Sequence, residues 1–178
     1  MSDWRPGDRR PDRASMLRVD QAGEYGATRI YAGQLAVLRR NAPESQLIAR
    51  MAAQEERHLK RFNELMTARR VRPTALQPLW NVAGFALGAV TALISEKAAL
   101  ACTDAVETEI DKHYAEQLEQ LGKDDPELSA DIAEFQAEEL EHRDTAREAG
   151  AAQAIGYPLL TAAIRAGCRV AIGLSKRI

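Results

Sequence analysis

The sequence predicts an all-α protein: a four-helix bundle of two repeated helix pairs, with two additional apolar or amphipathic helices. Residues that favour helices dominate the 178 residues, above all Ala, Leu, Glu, Arg and Gln, whereas aromatic residues make up only 5%. Apolar side chains recur at steps of three and four residues, as they do on one face of a helix. Helix-breaking residues separate the segments, notably Asn41 to Pro43 and Gly122 to Pro126.

Six helical segments follow one another along the chain. We place them at about residues 16–40, 43–70, 79–95 and 96–121, then from the turn at Gly122 to about 150, and from about 157 onward. We therefore expect a disordered lead-in over residues 1–15 and a single domain over 16–178. Its parts are a first helix pair (16–70), an apolar crossover helix (76–95), a second helix pair (96–150) and an amphipathic C-terminal helix (155–178).

Composition excludes several classes of protein. The net charge of −2 gives no reason to expect a nucleic-acid partner. Cys102 and Cys168 do not form a C-x-x-C motif, so we expect free thiols in a reducing compartment. The first residues are rich in arginine and lack an apolar core, which excludes a secretory signal, and their aspartates argue against a mitochondrial transit peptide.

The second and fifth segments carry ionisable residues in the middle of an apolar face. Glu55 and His58 lie on one helical face, with the apolar residues Met51 before them and Phe62 after them. Glu139 and His142 occupy the same place in the fifth segment, 84 residues later. One such Glu-x-x-His pair alone would more simply belong to a solvated helix face, but two in matching positions indicate a shared site.

The helix before each pair carries a further glutamate that faces the core. Glu24 lies 31 residues before Glu55, and Glu107 lies 32 residues before Glu139. A tyrosine follows each glutamate by seven residues on the same face. These residues, Tyr31 and Tyr114, are core aromatics with a bonded hydroxyl or take part in electron transfer.

Four carboxylates in one core require compensation, because a bare buried carboxylate is unstable and takes up a proton. Two divalent cations would balance the four negative charges, with the two imidazoles bound as neutral ligands. Oxygen and imidazole donors suit iron or manganese. One Glu from each of two helices and Glu-x-x-His from the other two is the pattern of ferritin-like di-iron proteins. We therefore predict a ferritin-like bundle with these six ligands: Glu24, Glu55, His58, Glu107, Glu139 and His142.

Other polar residues near the ligands receive weaker predictions. An aspartate one turn from Glu24 or Glu107 could hold an imidazole N–H, and the candidates are Asp20, Asp104 and Asp111. Three glutamates beside the ligands are expected to be solvated flanks: Glu56, Glu138 and Glu141. His113 lies one residue off the ligand face, so we expect a surface histidine, with a relay role beside Tyr114 as the alternative.

Two segments suit a membrane surface. Residues 79–95 are 17 residues without a charge, slightly fewer than the roughly 20 that span a bilayer. The last segment combines an apolar body with Arg165, Arg169, Lys176 and Arg177, as in helices that lie in the membrane interface. We expect monotopic attachment; the alternative is that the two segments pack on each other and cover the bundle.

Several blocks resemble one known family. The run Arg18-Val19-Asp20-Gln21-Ala22-Gly23-Glu24-Tyr25-Gly26-Ala27 is similar to the opening signature of the demethoxyubiquinone hydroxylases. Further blocks also resemble that family: Ile30 to Gln34, Pro78 to Gly88, Ala105 to Glu107 and Glu138 to His142. The resemblance extends from about Leu17 to the C-terminus.

The resemblance implies a function that spacing alone does not. It implies that the six ligands bind two irons per chain, with Glu55 and Glu139 as bridging carboxylates. It implies a dioxygen-dependent monooxygenase that hydroxylates a polyprenylated demethoxy-ubiquinol late in ubiquinone biosynthesis. The partners it implies are a reductant and a complex of ubiquinone-biosynthesis proteins. His113 and Tyr114 match a pair that assists electron transfer in the family. The expected location is the cytoplasmic face of a bacterial cell membrane.

Two other functions remain open from the sequence. A ferritin-type protein that oxidises or stores iron would explain the ligands but not the two apolar segments. A non-catalytic membrane scaffold that binds polyprenyl quinone would explain those segments. Dimanganese catalase chemistry is a more distant alternative.

Overall fold

The computed structural model describes residues 12–40 and 42–177, and within them every regular element is helical. Six α-helices and one short 3₁₀ helix follow in this order: α1 Arg13–Val37, α2 Pro43–Arg69, α3 Gln77–Ile94, α4 Glu96–Leu121, α5 Pro126–Glu148, the 3₁₀ helix Ala151–Gln153 and α6 Tyr157–Ser175. The all-α prediction is therefore confirmed, and each predicted segment corresponds to one helix.

The helices begin where the sequence supplies caps. The Asp12 side chain accepts a hydrogen bond from the Ser15 backbone N–H, so α1 begins at Arg13. The predicted lead-in over residues 1–15 was therefore wrong for its last three residues, and residues 1–11 lie outside the described part of the chain. Pro43 opens α2, and Pro126 opens α5 behind the capping side chain of Asp125.

Helices α1, α2, α4 and α5 form the bundle. Apolar side chains fill one end of its core, including Leu17, Phe62 and Leu128, and a second cluster that includes Ile48 and Met51 fills the other. Between these clusters lie the predicted ligands. The core is therefore apolar at both ends and ionisable in the middle.

Helix α3 crosses from one helix pair to the other and packs closely on α1. A Cβ atom on Gly33 would lie 2.1 Å from the backbone oxygen of Phe85, and one on Gly88 would lie 1.9 Å from that of Ile30. Only glycine allows the two backbones to approach this closely. The remaining surface of α3 is largely exposed.

Helices α3 and α6 present apolar side chains to the outside of the bundle. Val82 and Leu93 on α3 are 69% and 72% exposed, and Leu159 on α6 is 79% exposed. By length and composition α3 could cross a membrane, a property that core helices of soluble proteins share. The two helices meet where the Trp80 indole donates a hydrogen bond to the Ser175 hydroxyl (3.1 Å), and elsewhere a cavity separates them.

Candidate metal centre

The six predicted ligands converge in the middle of the bundle. Their donor atoms form two groups, each with all atoms within 4.8 Å of one another: Glu24, Glu55, His58 and Glu139 in the first, and Glu55, Glu107, Glu139 and His142 in the second. All six side chains are buried. Four different helices thus supply one site, as the repeated spacing predicts.

Glu55 and Glu139 belong to both groups and lie between the two histidines. The His58 Nδ1 atom is 3.1 Å from Glu139 and 4.0 Å from Glu55, and 3.4 Å from Glu24. The His142 Nδ1 atom is 3.2 Å from both Glu55 and Glu139. Both imidazoles therefore turn Nδ1 inward, toward the two central carboxylates.

Tyrosine hydroxyls hold the outer glutamates. Tyr31 on α1 donates a hydrogen bond to Glu107 on α4 (2.9 Å), and Tyr114 on α4 donates one to Glu24 on α1. Each tyrosine thus orients the glutamate of the other helix rather than the one on its own face. Both phenols are fully buried, and burial raises the pKa of each well above its usual range.

The cluster has donor atoms that the protein itself does not satisfy. Buried atoms without a hydrogen-bond partner include Glu24 Oε2, both carboxylate oxygens of Glu55, His58 Nδ1, Glu107 Oε2 and Glu139 Oε1. Buried polar atoms are normally paired, so a concentration of unpaired ones requires a ligand. Two divalent cations fit this donor set, because their charges balance four carboxylates and both donor types suit iron or manganese.

Electrostatics within the cluster also favour cations. Burial raises the pKa of Glu55 well above its usual range, and repulsion from Glu139 adds to this. Burial opposes the charge of His58, but the adjacent carboxylates of Glu139 and Glu24 raise its pKa to about 10. Burial also opposes the charge of Glu139, yet the adjacent imidazoles of His142 and His58 lower its pKa to about 2. The cluster retains protons that bound cations would replace.

The imidazoles contact two residues that were not predicted to support them. His58 Nε2 lies 2.6 Å from a carboxylate oxygen of Glu138, and His142 Nε2 lies 2.9 Å from the amide oxygen of Gln54. The prediction that Glu138 is a solvated flank was therefore wrong, whereas Glu56 and Glu141 are exposed as predicted. A usable signal existed, because Gln54 and Glu138 are separated by the same 84 residues as the two Glu-x-x-His pairs.

The three aspartates proposed as imidazole partners bind other groups. Asp104 contacts Arg147 and Tyr157, and Asp111 contacts Gln136 and Arg143. Asp20 lies 3.2 Å from His113 instead of a ligand histidine. These assignments were wrong because position on a helix does not specify which neighbouring helix a side chain reaches.

His113 is buried, which corrects the expectation of a surface histidine. Its Nε2 atom lies near Asp20 and 2.8 Å from the Gln117 amide nitrogen, which also donates a hydrogen bond to Asp20 (2.7 Å). The His113 ring centroid is 6.1 Å from that of Tyr114. Through Tyr114 this polar group adjoins Glu24.

An apolar cavity of about 560 Å³ lies between α1, α3, α4 and α6. Its lining includes Gly23 and Ala27 on either side of Glu24, and Val106 directly before Glu107. Trp80 and Leu160 line it farther along. The cavity therefore lies beside the turns of α1 and α4 that carry the outer glutamates and is bordered by the apolar helices α3 and α6, and its volume suits a small organic ring.

Comparison with known proteins identifies the family. The family model described as ubiquinone biosynthesis protein COQ7 matches residues 12–175, which include all six predicted ligands. The chain belongs to the COQ7 family. This confirms the resemblance on which the sequence analysis relied.

Several COQ7 relatives are similar over nearly the whole chain. A Rhodospirillum rubrum protein named 3-demethoxyubiquinol 3-hydroxylase is 55% identical over 177 residues, which cover 97% of this chain and 82% of that protein. A human protein named NADPH-dependent 3-demethoxyubiquinone 3-hydroxylase, mitochondrial, is 53% identical over 92% of this chain and 76% of its own length. A Saccharomyces cerevisiae protein named 5-demethoxyubiquinone hydroxylase, mitochondrial, is 44% identical over 92% and 77%.

Proposed function

We propose that the protein is a di-iron monooxygenase that hydroxylates the ring of a polyprenylated demethoxy-ubiquinol late in ubiquinone biosynthesis. The observation that carries this proposal is the pair of overlapping donor groups that share Glu55 and Glu139. Hydroxylases of this ring are named among relatives with 55% identity. A buried site of this composition provides what such a hydroxylase requires.

The six side chains of the cluster would hold two irons. Bound there, the irons would supply dioxygen activation, in which one oxygen atom enters the ring, the other leaves as water, and a reductant provides two electrons. The protein's own contribution is to fix the donors and exclude water. Phe135 contributes to this enclosure, because its ring stacks on the His58 imidazole with centroids 4.1 Å apart.

The apolar cavity is the proposed site for the quinol ring. It is lined by Gly23 and Ala27 of α1 and by Val106 of α4, on the helical turns that carry Glu24 and Glu107, so a ring bound there would lie close to the cluster. Its walls are mostly small or aliphatic and provide few groups that would bind water. The polyprenyl tail would leave between α3 and α6, where the exterior is apolar.

We also propose a relay through His113 and Tyr114. Tyr114 donates a hydrogen bond to Glu24, and His113 lies beside it in contact with Asp20 and Gln117. The rings of His113 and Tyr114 are neighbours on α4, with centroids 6.1 Å apart. They would carry a proton or an electron between the ligand shell and the reductant.

The exposed apolar faces of α3 and α6 support peripheral attachment to a membrane. Val82, Leu93, Leu159 and Val170 are all more than half exposed, which is costly in water. Arg169 and Lys176 flank the apolar face of α6 on the helix surface. We propose the cytoplasmic face of a bacterial cell membrane, where the substrate tail stays in lipid.

Reconstitution tests the proposed function. The protein is loaded with iron, reduced without oxygen, supplied with a demethoxy-quinol, and then exposed to dioxygen. We expect two irons per chain and a hydroxylated ring, with both lost in Glu139→Ala and retained in Glu141→Ala. Glu141 is the matched control because it lies two residues away but is exposed.

Other outcomes would favour the rival functions. A load of many irons per chain without any hydroxylated product would indicate an iron-storing protein. A retained quinone that is never hydroxylated, in wild type and Glu139→Ala alike, would indicate a quinone-binding scaffold.

A further inference from the structure

The internal repeat gives the two halves of the cluster the same types of predicted ligand. The residues that contact the outer nitrogen of each imidazole differ between the two halves. The outer glutamates receive matching partners, since each accepts a hydrogen bond from a tyrosine of the other helix pair. The histidines do not. His58 faces the carboxylate of Glu138, and His142 faces the neutral amide of Gln54.

The ring geometry fixes the direction of these contacts. With Nδ1 directed at a cation, the Nε2 atom carries the proton of the neutral ring and donates it outward. Glu138 and Gln54 are therefore both acceptors, at 2.6 Å and 2.9 Å. Arg57 pairs with the same oxygen of Glu138, and its other contact is Glu134 at 3.2 Å. This ion pair keeps Glu138 a carboxylate and holds it in place.

A carboxylate acceptor makes an imidazole a stronger ligand than an amide acceptor does. The carboxylate draws the Nε2 proton and increases the electron density at Nδ1, an effect that changes metal affinity by about 10- to 100-fold in other sites. The remaining ligands are of the same types in the two halves of the repeat, so the imidazole acceptor is the chemical difference between them. We infer that the two metal positions differ in affinity, and that the position formed with Glu24 and His58 binds the first divalent cation.

This inference rests on the proposed metal centre but is tested without turnover. The chain has three histidines, so ¹⁵N-histidine labelling of the metal-free protein gives a simple nitrogen spectrum. Zn²⁺ is added stepwise, since it is diamagnetic and accepts oxygen and imidazole donors. We expect His58 Nδ1 to shift at the first equivalent and His142 Nδ1 at the second, with affinities about 10-fold or more apart. His113 is the internal reference.

Three variants assign the difference to its cause. Glu138→Gln gives both imidazoles an amide acceptor and should abolish the order of filling. Gln54→Glu gives both imidazoles a carboxylate acceptor and should raise the metal affinity of the His142 position to that of the His58 position. The double exchange should reverse the order. Glu134→Gln is the matched control, because Glu134 contacts Arg57 but no histidine, and it should leave the order unchanged.

The possible results separate this inference from the proposed function. If both histidine signals shift together during the Zn²⁺ titration, or if the order of filling persists in Glu138→Gln, the inference is wrong but the proposed metal centre is not. If neither histidine binds Zn²⁺, both the inference and the proposed metal centre are wrong.

Discussion

At the scale of single residues, the hydrogen bonds around the cluster cross between helix pairs. Tyr31 reaches Glu107 and Tyr114 reaches Glu24, so every outer carboxylate is oriented by the opposite helix. A carboxylate fixed in this way loses less freedom when it binds a cation. The crossing also ties α1 to α4 at the level of the ligands.

Replacing Tyr114 by Phe removes one hydroxyl without opening the core. Glu24 then loses its partner, so we expect iron affinity or turnover to fall by about 10- to 100-fold, as for other groups that orient ligands. Iron content and product formation measured together separate the two effects. A relay role predicts a loss of turnover with iron retained, and Tyr31→Phe serves as the comparison because Tyr31 has no neighbouring histidine in the sequence. Unchanged iron content and turnover would contradict both roles.

The convergence of the six predicted ligands could be foreseen from the sequence, but the residues that contact the imidazoles could not. Buried charge at helical spacing is unusual, so Glu55 and Glu139 stand out in an apolar stripe. Glu138 does not stand out, because glutamates beside a buried face are ordinarily solvated. Its role depends on His58 of another helix, and the packing that brings them together follows from the whole fold. Only the repeated offset from Gln54 could have indicated it.

At the scale of elements, the contact between α1 and α3 depends on missing side chains. Gly33 and Gly88 let each backbone touch the other, and a Cβ on Gly88 would lie 1.9 Å from the Ile30 oxygen. Sequence periodicity cannot identify the helix that packs against these glycines, because that helix makes the contact with backbone atoms rather than with side chains.

Gly88→Ala therefore forces α1 and α3 apart. We expect a loss of about 1–3 kcal/mol in the free energy of unfolding, as for other overpacked sites. Gly173→Ala on α6 is the control, because no atom lies within 4 Å of its Cβ position, and it should stabilise by about 0.5–1 kcal/mol through helix propensity. Denaturant unfolding measures both, and equal stability of the two variants would refute the close contact.

Asp125 stabilises the start of α5 in two ways. Its side chain accepts the Leu128 N–H as a cap and pairs with Arg69 of α2. Burial opposes the charge, but the Arg69 contact dominates and lowers the pKa of Asp125 below its ordinary 3.8. Since the folded pKa is the lower one, the ion pair stabilises above the ordinary value and is lost as the pH falls through the folded value.

Two substitutions of Asp125 separate the contribution of its helix cap from that of its ion pair. Asn caps helices as well as Asp does, so Asp125→Asn loses only the ion pair, whereas Asp125→Ala also loses about 1 kcal/mol of capping. We expect Asp125→Asn to be less stable than wild type at pH 7 and to approach it under strongly acidic conditions. Unfolding curves across this pH range provide the measurement, and a difference that grows as the pH falls would contradict the sign.

At the scale of the whole molecule, the two sides of the bundle differ in chemistry. Helices α3 and α6 cover α1 and α4 with an apolar exterior, while α2 and α5 are joined by exposed ion pairs such as Arg61 with Asp131 and Glu127. The sequence indicated the apolar helices by composition. It could not show that they enclose a cavity together with α1 and α4, because that depends on how four helices pack.

Attachment to lipid should depend on the apolar side alone. Leu159→Glu with Val170→Glu should lower binding to phosphatidylcholine vesicles by about 10-fold or more, since burying one such side chain is worth about 1.5–3 kcal/mol. Ala130→Glu with Ala133→Glu adds the same charge to the exposed surface of α5 and should bind normally. Vesicle flotation measures the bound fraction. Equal loss in both double variants would show a general charge effect instead.

The glycine contact joins the apolar helix α3 to the helix that carries Glu24. Because the backbones of α1 and α3 touch at Gly33 and Gly88, a displacement of α3 would also displace α1. Whatever sets the depth and tilt of α3 then also sets those of Glu24. In a bilayer, the surrounding lipid would serve as an outer part of the scaffold, holding the reactive centre at a constant height above the plane in which its substrate diffuses.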